Sequence, residues 1–519
     1  MRRQPLTPFL FLLLVASPLA AQTLRGGAGA PGAEAVRRAV ETITEADMRS
    51  RIGALAHDSM RGRDTPSPEL ESAARWIASE FRRFGLRPGG DSGTYLQRYS
   101  IRRTVTDSAS VVMAVGGGVH GHWRVGHEAL LVASLGGDPA PEPVSGPLVL
   151  LAGPLDTARP FADLDVRGAV ILQVPAPGAV NPRLIERARQ AGARGWILVQ
   201  PVPGPVFARQ ARRAFEPELQ LASAASGAAG IPVFVVRDST AAPVLRAVGE
   251  TVEGLRSGPA RARQLRDFTG SFTIRRVTLS EITAPNVIGV LEGSDPVLRN
   301  EYVVYTAHMD HVGVGNPVNG DSIFNGADDD ASGTSGVIEL AEAFATLNPR
   351  PRRSLIFMLV SGEEKGLWGS RWFSDHPTVP IENIVANINL DMIGRNWRDT
   401  VSVIGKEHSS LGEVANRVAR AHPELNMALV DDLWPRENFY FRSDHYNFAR
   451  RGVPILFFFN GTHADYHRVT DTVDRIDAEK AARIVRMVFY VGLEVAQADQ
   501  RPQWDPASRQ RIVEGAGNE

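Results

Sequence analysis

The residues best suited to chemistry are histidines and a set of carboxylates spread over separated stretches of the chain. His308 and Asp310 follow an apolar run that begins at Tyr302. Asp328, Asp329 and Asp330 stand in a row ahead of a helical pattern. Glu363 and Glu364 come just after the run Ser354 to Val360, and Asp391 closes the run Ile384 to Leu390. His463, Asp465 and His467 stand in the stretch after the run Val453 to Phe459. Imidazole and carboxylate are the donors of hydrolytic metal sites. A lone His-x-Asp is weak evidence, and any one strand-end acid can be a helix cap or a turn former. Several segments that each deliver such groups where an apolar run gives out point instead to one shared site. In open α/β sheets the reactive crevice lies beyond the C-terminal ends of the strands.

Imidazoles and carboxylates without a thiolate suit zinc, with cobalt or manganese as substitutes. The donors outnumber what one tetrahedral ion takes, which predicts a pair of ions sharing a bridging carboxylate; such pairs stand about 3.5–4 Å apart. The tandem Glu363-Glu364 then divides its labour. Adjacent residues in an extended or tightly turned segment point different ways, so one can bind metal while the other faces the water as general base. Spacing alone does not choose among the three consecutive aspartates.

The elements that must carry these groups are readable from periodicity. Strands are expected at Asn286 to Leu291, Tyr302 to Ala307, Ser354 to Val360, Ile384 to Leu390 and Val453 to Phe459. Helices are expected at Pro68 to Phe84, with Gly85 as a C-terminal cap, and at Thr334 to Leu347 and Ser410 to Ala421. Another should begin near the capping residue Thr44, and a long final helix, Ala478 to Gln497, behind Asp477. This alternation predicts an α/β sheet with helices on both faces. A different texture holds from about residue 121 to residue 262. Its short Pro- and Gly-bounded strands, at Leu148 to Leu151, Ala169 to Val174, Trp196 to Val199 and Pro232 to Val236, predict a small β-rich insert. A helix is expected within it at Pro182 to Gln190, and a Gly/Pro/Arg linker at 254–263 should lead back to the main domain, which resumes near residue 265.

A chain of 519 residues is long for one core and predicts such a two-part organisation. The net charge of -1 provides no global field for nucleic acid or anionic membranes. Arg2 and Arg3, the apolar stretch Phe9 to Ala16 and the small residues Ala20-Ala21 read as an export signal over residues 1–21. The expected location is the periplasm or the extracellular space, without stable membrane insertion once the signal is removed. The absence of cysteine excludes disulfides, a thiol nucleophile and cysteine-based structural zinc. The segment 501–519 is polar and expected to be a disordered tail.

The strings TAHMDHVG, NGADDDASG, SGEEKGLWGS, NLDMIG and YHRVTDT resemble the motifs of the secreted di-zinc aminopeptidase family. That family includes glutamate carboxypeptidase and the transferrin receptor ectodomain. The resemblance covers residues 45–120 and 270–495 and implies a mixed sheet sandwiched by helices. It implies that His308, Asp329 and Asp391 hold one zinc ion, and that Asp329, Glu364 and His467 hold a second. It implies Glu363 as the base, Asp310 as the residue that orients the His308 imidazole, and Tyr466 as a donor to the tetrahedral oxyanion. His463, Asp444 and His445 are read as supporting positions around the cleft, and His311 as a bystander. The strings RGAVILQVPAPG, ARQAGARGWILVQ and GIPVFVV, within residues 125–260, resemble a protease-associated domain, an arrangement that implies a lid or an access element.

The implied activity is release of N-terminal amino acids from peptides. A carboxypeptidase or a glutaminyl cyclase on the same scaffold is the nearest rival, with Arg436 or Arg442 as a cation for a terminal carboxylate. A non-catalytic binding ectodomain is the rival from another class, and the complete ligand set speaks against it.

Overall fold

The computed structural model of the chain describes residues 30–514, except 108–111, 117–120, 136–142, 156–160, 162–163, 177–180 and 223–229. The expected export signal, most of the Gly-rich stretch after it and the last five positions lie outside the described residues.

Among the described residues, ten strands form one mixed sheet. Its centre is parallel, in the order Ile455–Phe459, Ile384–Asp391, Tyr302–His308 and Ser354–Val360. These are mostly apolar runs, broken by the buried polar residues Thr306, Asn387 and Asn389, and buried along almost their whole length, as expected of parallel strands covered on both faces. Being parallel, they bring their C-terminal ends to one edge. Arg276–Leu291 and then Leu96–Thr106 extend the sheet antiparallel beyond Ser354–Val360. Thr400–Ile404 does so beyond Ile455–Phe459.

Helices Glu45–Leu55, Pro68–Arg83, Ala331–Ala345 and Ala478–Gln497 supply buried residues to the core on one face. There Phe344 stacks on Phe489 at 4.2 Å, and Tyr305 stacks on Phe357 at 5.3 Å. Trp368–Asp375 and His445–Ala449 supply the opposite core. The expected caps are present. The side chains of Thr44 and Asp477 accept from the amides of Asp47 and Lys480, and Gly85 closes its helix at φ +78°; Ser67, not read from the sequence, caps Pro68–Arg83 by accepting from the amide of Leu70. Each such cap is worth about 1 kcal/mol.

A second sheet holds eight of the described strands, ordered Gly121–Arg124, Val112–Gly116, Arg261–Thr273, Val144–Gly153, Val170–Pro175, Gly195–Gln200, Ile231–Arg237, Ala129–Leu135. It has its own cores, one on each face. Three features differ from the sequence reading. The sheet spans 112–273, wider than 121–262, because Arg261–Thr273, expected partly as linker, is a strand pairing with both Val112–Gly116 and Val144–Gly153. The insert is not simply β-rich. Four of its strands run parallel, and the connections include helices Pro182–Gln190, Gly204–Arg213, Asp238–Ala247 and Val252–Ser257. Finally, Glu218–Leu221 leaves the insert and pairs with Leu96–Thr106 at the edge of the first sheet.

The expected disordered tail is also corrected for 501–514. Ile512 is buried, Trp504 donates its Nε1 hydrogen to the Gly452 carbonyl at 2.8 Å, and Asp505 caps a short helix, Pro506–Arg509. Two apolar anchors within a polar segment were enough to dock it.

Candidate metal centre

Each central strand delivers a functional side chain at its end. His308 is the last residue of Tyr302–His308 and Asp391 the last of Ile384–Asp391. Ser361-Gly362-Glu363-Glu364 follows Ser354–Val360 directly. His467 lies in the loop after Ile455–Phe459, at φ +53°.

The three consecutive aspartates have three different environments. Asp330 caps helix Ala331–Ala345: its carboxylate accepts from Gly333 N at 2.9 Å, His308 N at 3.1 Å and Met392 N at 3.2 Å. It thereby fastens the helix start to two strand ends. Asp328 accepts from Gly394 N at 2.6 Å and from Ser332 Oγ at 3.2 Å, and its other oxygen faces His463 Nε2 at 3.2 Å. Asp329 alone turns its carboxylate into the cluster. Its Oδ1 lies 3.2 Å from His308 Nε2, and its Oδ2 lies 3.0 Å from His467 Nε2.

Two donor groups meet at Asp329. One contains His308, Asp329 and Asp391; the other contains His311, Asp329, Glu364 and His467. His308 Nε2 is 3.7 Å from Asp391 Oδ1, and His467 Nε2 is 3.1 Å from Glu364 Oε2. The five expected metal residues, His308, Asp329, Glu364, Asp391 and His467, are therefore brought together. His311, read as a bystander, is not apart from them: its Nδ1 stands 2.8 Å from Glu364 Oε1.

Supporting contacts fix these groups. His308 Nδ1 lies 3.2 Å from the backbone carbonyl of Asp310 and 3.7 Å from its carboxylate, so the nearer acceptor is main chain rather than the expected side chain. A hydrogen held there leaves the Nε2 lone pair facing Asp329 and Asp391. The Asp310 carboxylate instead accepts from Gly362 N at 2.8 Å, Glu363 N at 3.4 Å and Thr65 Oγ1 at 2.9 Å. It pins the turn that carries both glutamates. Ser443 Oγ donates to Asp391 Oδ2 at 2.8 Å. Asp471 accepts from the amides of Asp328 and Asp329 at 3.1 Å. Fully buried Arg63 donates to the carbonyls of Leu55, Met309, Asn325 and Gly326, tying the two loops on either side of the cluster. Arg63, Thr65, Ser443 and Asp471 were missed from sequence. Of these, only Ser443 stood beside a residue already singled out.

The electrostatics fit a cation. Burial alone would lower the His308 imidazole, but Glu363, Asp310, Asp329 and Asp391 outweigh it and push it well above its ordinary range. His467 likewise loses by burial and gains more from Asp329 and Glu364, reaching about 10. Asp329 is held well below the carboxylate range against burial, by His311, His308 and His467. Protons thus occupy donors that a divalent cation would take in their place. Several buried donors also lack an aligned hydrogen bond: His311 Nδ1 and Nε2, Glu364 Oε1 and His467 Nε2. Orphaned polar atoms that converge are otherwise costly to bury. The residues fit a pair of zinc ions.

Glu363 accompanies His308, Asp329, Asp391 and Tyr466 in lining a cleft beside the cluster. Burial, reinforced by Asp444, Asp391 and Glu364 and opposed by His308, pushes its carboxyl well above the usual range. Tyr466 stacks on His467 at 3.9 Å. Burial and the surrounding acids raise its hydroxyl, so it stays a donor. Met392, Phe439, Phe457 and Phe459 form apolar walls, with Arg442 among the lining residues. Asp444 is buried, and its carboxyl is pushed up to about 7 by burial and by Asp310 and Asp391. His445 is buried and stacks on Phe457 at 4.4 Å, its Nε2 donating to the Tyr440 carbonyl at 2.8 Å.

Residues 286–492 match the sequence model of peptidase family M28. A probable zinc metalloprotease of Pyrenophora teres f. teres is 27% identical over 270 residues, covering 43% of this chain and 53% of that protein. Aminopeptidase NAALADL1 of Mus musculus is 36% identical over 115 residues, which cover 21% of this chain and 14% of the mouse protein. The chain spans about half or less of the length of the curated relatives it matches. The solved aminopeptidase from Aneurinibacillus sp. strain AM-1 superposes with a TM-score of 0.50 at 19% identity, over 88% of this chain and 95% of that one, a likeness of fold. The segment that matches peptidase family M28, residues 286–492, holds every strand end of the cluster, so the likeness to that family falls on the part of the chain that carries the donors.

Proposed function

We propose that this chain is an exported zinc-dependent exopeptidase that releases N-terminal amino acids from peptides. The observation that carries the reading is the sharing of Asp329 between two donor groups, one with His308 and Asp391 and the other with Glu364 and His467. A pair of divalent ions bound there would polarise the scissile carbonyl and acidify the attacking water.

The chain's own residues account for the remaining chemistry. Glu363 takes the proton from water and delivers it to the leaving amine; its upward shift suits a group that must hold a proton between those transfers. Asp310 keeps Glu363 in place by gripping the amides of Gly362 and Glu363. Tyr466, protonated at neutral pH, donates to the oxyanion that develops on the carbonyl. The walls of Met392, Phe439, Phe457 and Phe459 take an apolar terminal side chain. The N-terminal charge and apolar pattern supports export to the periplasm or beyond, and sequencing the mature N-terminus checks it. The insert, with its likeness to a protease-associated domain, is proposed to limit access to the cleft.

The direct test is Glu363→Ala. Turnover of an N-terminal leucine anilide should fall about 10²–10⁴-fold, with zinc content unchanged; turnover at the wild-type rate refutes the assignment of the base. A carboxypeptidase is the second reading, and Arg442 favours it. Its guanidinium lies over the Phe439 ring at 4.7 Å, with the Glu437 carboxylate no nearer than 3.9 Å, and so is placed to meet a terminal carboxylate. Hydrolysis of C-blocked but not N-blocked dipeptides supports the aminopeptidase, and the reverse supports the carboxypeptidase.

A further inference from the structure

We propose that His311 is a direct ligand of the second metal ion, through Nδ1, beside Asp329, Glu364 and His467. The inference deepens the two-ion reading above and rests on it.

The argument starts from the ring's surroundings. His311 is fully buried, and neither ring nitrogen completes an aligned hydrogen bond. An imidazole buried for packing alone normally finds a carbonyl or hydroxyl, as His445 does with the Tyr440 carbonyl. His311 Nδ1 instead lies 2.8 Å from Glu364 Oε1 and 3.7 Å from Asp329 Oδ2. The first distance is short enough for a hydrogen bond, but the alignment is not that of one, and Glu364 Oε1 is likewise left without one. Two acceptors that approach closely without sharing a hydrogen are aimed at a common point. His467 Nε2 shows the same pattern, 3.0 Å from Asp329 Oδ2 and 3.1 Å from Glu364 Oε2 with no aligned bond.

The distances suit one ion. Zinc–nitrogen and zinc–oxygen bonds of roughly 2.0–2.1 Å in a tetrahedron separate neighbouring donors by about 3.3 Å. The four donor atoms of this group lie within 4.8 Å of one another, and the separations above bracket that value. The ring is also held in place from outside the cluster. Its amide donates to the Arg63 carbonyl at 3.4 Å, and Gly326, at φ +59°, lies so close that an added Cβ would stand 2.5 Å from the ring. The two ion sites then differ in kind. The first has one imidazole and two carboxylates; the second has two imidazoles and two carboxylates and should hold zinc more tightly.

The test uses the full chain, stripped with a chelator, reloaded with Zn²⁺ or Co²⁺, and compared with His311→Ala and His311→Gln. Wild type should retain two zinc ions, with zinc-edge absorption fitting three imidazoles per pair. Both variants should lose the tighter ion at a chelator concentration at least ~100-fold lower, beyond the 10–100-fold expected of a group that only supports a ligand. They should show one imidazole fewer and an altered Co²⁺ ligand-field spectrum, while the metal-stripped forms melt as wild type does. A folded variant with unchanged retention and spectrum overturns the proposal. So does weakened retention with an unchanged imidazole count. The imidazole count of wild type alone decides the matter if neither variant folds. Fewer than two zinc ions on wild type would instead sink the two-ion reading itself.

Discussion

Strands Ser354–Val360 and Val170–Pro175 are both fully buried, largely apolar runs inside a sheet, the first with one parallel and one antiparallel neighbour and the second with two parallel ones, and they end differently. The first runs into Ser361-Gly362-Glu363-Glu364, the second into Ala176. The contrast holds for the sheets as wholes. At the C-terminal edge of the first, His308, Asp310, His311, Asp329 and Asp391 are buried within reach of one another. In the second, the buried polar side chain among the described residues is Gln173, whose Oε1 accepts from Trp196 Nε1 at 3.1 Å. Burying charge costs several kcal/mol per group unless something compensates. A fold that concentrates such groups at one edge, and keeps its other sheet nearly free of them, is organised around a compensating cation at that edge.

The largest expected effect that could break this contrast is at the first sheet's edge. Removing metal with a chelator should abolish peptide hydrolysis, and zinc should restore it; activity that survives chelation would detach the cluster from the chemistry. Next comes Trp196→Ala in the second sheet. Loss of a fully buried indole should cost about 3–5 kcal/mol of stability in denaturant unfolding, yet kcat on a small anilide should stay within a factor of two at a permissive temperature. A kcat drop like that of Glu363→Ala would mean that the insert takes part in catalysis. A third test concerns Thr65→Val, which removes one donor from Asp310 without emptying space. It should lower kcat by roughly tenfold, the weight of a net hydrogen bond to a charged group at about 1.5 kcal/mol, with zinc content unchanged.

The smallest effect, taken per pH unit, is in pH dependence. Burial holds the His445 imidazole down at about 3, against its hydrogen bond to the Tyr440 carbonyl, whereas the unfolded chain takes up the proton near 6.5. The folded value is depressed, so the unfolded state binds more protons between those limits. Stability should therefore fall as pH drops from about 6.5 towards 3, by at most about 1.4 kcal/mol per unit. His445→Asn should flatten that limb relative to wild type; parallel curves would refute the assignment.

The strand ends were legible in the sequence because an apolar run followed by a charged residue is a local pattern. That is why the strand ends carrying His308, Glu363, Glu364 and Asp391 stood out, and why helix Ala478–Gln497 was found with its cap, whereas His467 over His463 and the separate roles of Glu363 and Glu364 came from the resemblance to the di-zinc aminopeptidase family. The choice among Asp328, Asp329 and Asp330 was not legible from spacing. It is made by distant partners, Gly394, Met392, His463 and Asp471, that no local window contains. Arg63 was invisible for the same reason, since it reaches Met309 across 246 positions. His311 carried a faint signal, a further imidazole three residues past His308 at the same strand end. A turn residue would read the same way, and only the approach of Glu364 separates the two. The ordered segment 501–514 was lost because its composition is polar while its two anchors are not.

Zinc stoichiometry of wild type and Asp329→Asn, measured by elemental analysis after dialysis against a weak chelator, tests the central claim most directly. Because one carboxylate serves both donor groups, wild type should carry two zinc ions per chain, and the single substitution should reduce occupancy at both sites together. Wild type with one ion or none, or a variant that keeps both, would contradict it.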